Sequence, residues 1–64
     1  MNVSAETIVM DACVELSGCK YANKSIIMCC IKAMKIVNGY QCDANDEEIC
    51  EKIIETMHRI NMMS

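Results

Sequence analysis

Lys24-Ser25-Ile26-Ile27-Met28-Cys29-Cys30-Ile31-Lys32-Ala33-Met34-Lys35-Ile36-Val37-Asn38-Gly39 is the stretch on which the fold turns. Its first half, Ile26 to Ile31, is an unbroken apolar run with β-branched members, a pattern shared by buried strands and buried helices. Length and charge separate the two. About fourteen residues pass without a turn signal, and Lys32 and Lys35 stand three apart, on one face of a helix, where a strand would point them to opposite faces. The stretch predicts a helix over about residues 25–37, entered through Asn23 or Ser25 as N-cap and ended by Asn38-Gly39. Being apolar around most of its circumference, this helix is expected to be the central one.

Two further helices flank it. On the N-terminal side, Ala5, Ile8, Val9, Ala12, Cys13 and Leu16 recur at helical spacing, with Met10 and Val14 outside the stripe. Ser4 is the natural N-cap, Glu6 meets the positive end of the helix dipole, and Gly18 suits a left-handed C-terminal cap, which predicts a helix over about residues 5–17. On the C-terminal side Asn45 and Glu48 form a cap pair, and Asp46, Glu47 and Glu48 crowd the first turn. The stripe Ile49, Cys50, Ile53, Ile54, Met57 and Ile60 then marks a helix over about residues 46–61, with Glu51, Lys52, Glu55, His58 and Arg59 mainly on its other side. Connections of five to seven residues suit antiparallel neighbours, so the expected fold is all-α, a single-domain three-helix bundle. Tyr21 and Tyr40 each follow a helix end, where a ring lids the core with its hydroxyl in water.

Composition supplies the functional clue. The 64 residues are 53% apolar, and a chain this short buries only about 60% of the surface that its unfolded form exposes, so part of the apolar set is expected outside. Seven methionines and six cysteines make that set soft and adaptable, as at binding surfaces. Met10, Met28, Met62 and Met63 are candidates for exposure. The candidate contact residues are Met28, Met34, Met57, Ile60 and Met62, with Glu51 and Glu55 as an acidic rim. Charge is segregated: residues 1–19 carry net −3, residues 20–40 net +4 and residues 41–64 net −4, a pattern that favours helix pairing within one chain or between two.

Several classes of function fall away. A net charge of −3 and a last helix opening on three acids oppose nucleic-acid binding. The longest uncharged run of the middle segment is far too short to span a bilayer, which takes about 20 residues. No Cys-x-x-Cys pair, glycine-rich phosphate loop or evident acid-base constellation supports an enzyme, a cofactor or a metal. Residues 1–18 hold no lysine or arginine, so no secretory signal is visible and the thiols are expected to stay reduced in the cytoplasm. The expectation is a small intracellular interaction module, an inhibitor or adaptor of the kind viruses and phages encode, whose partner is another protein or a second copy in a homodimer.

Two alternatives compete. One is a secreted helical peptide with three disulfides, active at membrane surfaces; residues 42–53 resemble the last helix of saposin-like domains, although the adjacent Cys29 and Cys30 and the missing Cys-x-x-Cys opening depart from that family. The other is a small zinc module in which Cys13, Cys19, Cys29 or Cys30, and His58 meet at one end of the bundle.

Overall fold

A computed structural model describes residues 1–19 and 22–63, for residues 62 and 63 the backbone only. It contains α1 (Ala5–Leu16), α2 (Lys24–Asn38) and α3 (Asp46–Met63) in a bundle 33 Å long and 17 Å across. The expected class and helix order hold, and α3 runs two residues further than its stripe indicated. Each boundary has a local cause. The Thr7 backbone N–H donates to Ser4 Oγ, that of Ile26 to Asn23 Oδ1 and that of Glu48 to Asn45 Oδ1, so side chains satisfy amides that a helix start leaves without partners. Asn23, not Ser25, therefore caps α2. The Asn45 amide group also reaches back to Glu48 Oε1. Gly39 ends α2 in the left-handed region at φ 68°, and after α1 the chain turns at Gly18 with φ 89°.

Eleven described apolar side chains are buried: Ile8, Val9, Ala12, Cys13 and Leu16 of α1, Ile27, Ile31 and Met34 of α2, and Ile49, Cys50 and Ile53 of α3. α3 packs extensively on both other helices, whereas α1 and α2 touch each other less. This corrects the expectation that α2 is central. A helix in a three-membered bundle has neighbours on one flank, and α2 is apolar well beyond that flank, so of its many apolar side chains Ile27, Ile31 and Met34 are the buried ones.

Ion pairs accompany the orientation of α2. Lys35 pairs with Asp46 in a half-buried setting, and Lys24 Nζ lies 3.0 Å from Glu47 Oε2 in an exposed one. Both join the lysine edge of α2 to the acidic first turn of α3, so the segregated charge pairs helices inside one chain. The hydrogen bond and attraction from Glu47 hold the Lys24 ammonium above its usual pKa. At the opposite edge of α2 the apolar side chains face outward.

The N-terminus is fastened to the loop between α2 and α3. The Val3 N–H donates to the Gln41 carbonyl at 2.9 Å, the Gln41 N–H to the Met1 carbonyl at 2.8 Å, and the Met1 ammonium to the Gly39 carbonyl at 3.0 Å. Tyr40, in the same loop, is half-buried, but its hydroxyl is not left to water as expected: it donates to Asp11 Oδ2 at 2.6 Å and ties the loop to α1. The expected Tyr21 lid lies outside the described residues.

Candidate interaction face

Around α2, Ile26, Cys29, Ala33, Ile36 and Val37 are all exposed. With 3.6 residues per turn their spacing places them on one continuous strip of the helix, beside the strip that fills the core. Ile36 is 82% and Val37 81% exposed, values that exclude any role in holding this chain together. Across from them on α1, Val14 is 68% exposed. Because α1 and α2 meet only loosely, a groove of about 520 Å³ opens between them, walled by Val14, Asp11 and Glu15 on one side and by Cys30, Ala33 and Val37 on the other, with Met34 on its floor.

The two walls differ in character. α2 contributes sulfur and hydrocarbon, and the Cys30 thiol donates to Met34 Sδ at 3.7 Å. α1 contributes two carboxylates. Asp11 is held by the Tyr40 hydroxyl, while Glu15 is exposed at the mouth. Burial, and then the negative charge of Glu15, push the Cys30 thiol above its ordinary pKa. The result is an apolar slot with an acidic edge, suited to a helix that brings apolar side chains and a base.

The contact residues expected from sequence do not come together on this face. Met34 is buried and serves as its floor. Met28 and Met57 are half-buried against the core. Ile60 is exposed, beside Cys13, Leu16 and Met57 at the far end of the bundle. Glu51 is exposed on α3, and Glu55 Oε1 accepts from Arg59 Nη2 at 3.0 Å along the same helix, so the acidic rim of the groove is Asp11 and Glu15 instead. The side chains of Met62 and Met63 lie outside the described residues. Met10 is exposed, as expected.

The signal for Ile26, Cys29, Ala33, Ile36 and Val37 was present as a second helical period within α2, and Val14 already stood outside its own stripe. In a central helix that second period would belong to the core; here it faces outward.

All six cysteines are free thiols. Cys13 and Cys50 are buried, and burial is the leading cause that pushes both above the ordinary thiol pKa. For Cys50 the nearby Lys24 opposes the shift and Glu47 and Glu51 add to it. Such thiols are inert as nucleophiles near neutral pH. Cys13, Cys19 and His58 do gather at the end of the bundle where Met57 sits, yet among the described residues no three His, Cys, Asp or Glu side chains are placed to hold a metal ion. No described helix is long and apolar enough to cross a membrane.

Fold and face together define a small three-helix bundle with an exposed apolar flank along α2. Compared with models of known families, with curated proteins and with solved structures, the chain matches none.

Proposed function

We propose that this chain is a small protein–protein interaction module that works by burying the α1–α2 face against a helical partner. The observation that carries this reading is the strip Ile26, Cys29, Ala33, Ile36 and Val37, exposed beside a slot with an acidic edge. Contiguous apolar surface of this kind on a soluble domain marks a contact site. The partner brings apolar side chains at helical spacing to fill the slot and a basic side chain to meet Glu15. In a cell the module acts as an adaptor or inhibitor by covering such a surface, in a reducing compartment such as the cytoplasm, where its six cysteines stay thiols.

A hydrophobic fluorescent dye tests the face directly. At low micromolar concentration the wild-type chain binds the dye, and Val37→Glu and Ile36→Glu, which alter exposed positions only, abolish most of the signal while leaving the helical circular dichroism unchanged. A wild-type chain that leaves the dye dark, or dye binding indifferent to both substitutions, overturns the reading.

A further inference from the structure

Resting on that docking face, we infer that its occupant is a second copy of this chain, seated with the two α2 helices side by side and parallel about a two-fold axis, Lys32 of each copy meeting Glu15 of the other.

Of the described lysines of α2, Lys24 is paired with Glu47 and Lys35 with Asp46. Lys32 is exposed and, among the described residues, has no ion pair or hydrogen bond. On α1, Asp11 is occupied by Tyr40, and Glu15 stands exposed at the groove. Among the described residues, one base and one carboxylate thus border the apolar strip without an ion-pair or hydrogen-bond partner.

Their placement decides the geometry. Lys32 follows Cys30 by two residues, which puts them roughly 160° apart around the helix, with Ala33 in the arc between them. Cys30 borders the α1 groove, so the strip has Lys32 on one edge and α1 with Glu15 on the other. Lys32 and Cys30 also differ by only about 3 Å along the helix axis, and Glu15 lines the groove beside Cys30, so base and carboxylate lie at nearly one level. A two-fold axis parallel to α2 sets the Lys32 edge of one copy against the α1 edge of its mate and forms the pair twice. An axis perpendicular to α2 makes the helices antiparallel and brings lysine edge to lysine edge and acidic edge to acidic edge. Like-charge juxtaposition selects against that arrangement.

The face is also large enough. A standard interface covers roughly 800 Å² of each partner, about one-sixth of this chain's 4577 Å² of accessible surface. One long flank of a bundle 33 Å by 17 Å supplies an area of that order. An isologous contact uses the same patch twice, so a single strip on a single helix suffices for both sides.

Sedimentation equilibrium of the full chain under reducing conditions, from low micromolar to sub-millimolar concentration, tests the inference. The wild-type mass is expected to rise from one chain to two. Lys32→Glu and Glu15→Lys each place like charges at both contacts and weaken association by about tenfold. The double variant, and an equimolar mixture of the two single variants, restore it, because opposite charges again meet at both contacts. A wild-type chain that stays monomeric throughout, or single variants that associate as tightly as wild type, overturns the second copy. Dye binding to the dilute chain separates the two failures. Monomeric protein whose dye signal still depends on Val37 retains the docking face and loses the dimer; monomeric protein that binds no dye loses both.

Discussion

Truncating Ile53 and, separately, Ile36 to alanine puts the division between core and face to a quantitative test. Ile53 has no solvent exposure and lies on α3, the helix that both others pack against, whereas Ile36 is 82% exposed. Removing a fully buried isoleucine side chain loses its transfer free energy and leaves a cavity, which together cost about 2–5 kcal/mol. A domain of this length has roughly 3–10 kcal/mol of stability in all. Ile53→Ala therefore removes a large share of it and lowers Tm by about 8 °C or more. Ile36→Ala removes little buried surface and introduces a better helix former, so its effect stays within about 0.5 kcal/mol of zero. Urea titrations followed by circular dichroism measure both, with reductant present and at concentrations dilute enough to keep the chain monomeric. Equal losses from the two substitutions contradict this division, since they require Ile36 to be packed within one chain.

Other consequences are open to similar measurement. Asn45→Ala removes the oxygen that accepts the Glu48 N–H and lowers stability by about 1 kcal/mol in the same titration, while a neutral result contradicts the cap. Gly39→Ala lowers it by about 1–2 kcal/mol through backbone strain at φ 68° alone, because an added Cβ meets no atom within 4 Å. Cys13, Cys30, Cys50 and Tyr40 are all held above their ordinary pKa values. The folded chain thus grips these protons more tightly than the unfolded one. Their stabilisation is complete below the ordinary thiol value of 9.0 and is lost as pH rises through the folded values, so stability falls above pH 9, and a rise there contradicts the burial of the thiols. Tyr40→Phe takes the hydroxyl donor from Asp11 and destabilises the chain at neutral pH, an effect that calorimetric Tm detects and whose absence denies the tie between loop and α1.

How much of this was legible in the sequence follows from the range of the forces involved. Helix starts are local: Ser4, Asn23 and Asn45 cap amides three residues away, and each stands ahead of an amphipathic run in the sequence. The inward faces of α1 and the first half of α3 were equally plain, because Ile8, Ala12, Ile49 and Ile53 keep a helical period. Which arc of α2 faces inward was not legible. Its two apolar strips look alike along the chain, and the choice depends on how α2 is rotated against α3, a relation between distant residues. The same limit explains the exposure of Ile60, since a stripe shows which side chains share a face and not how far along the helix the neighbours extend, and that of Ile54, which follows the fully buried Ile53 and lies at the edge of the stripe. The Tyr40 to Asp11 bond and the strap from Met1 to Val3 join residues far apart in the chain and leave no periodic trace.

Methyl relaxation by a soluble nitroxide separates core from face residue by residue, since it reports how closely solvent approaches each isoleucine and valine. In dilute monomeric protein the methyl signals of Val14, Ile36 and Val37 are expected to broaden strongly and those of Ile8, Ile31 and Ile53 not at all. Val14, Ile36 and Val37 methyls that remain shielded at every dilution contradict that separation, because they then lie inside the fold and no apolar flank is left to bind anything.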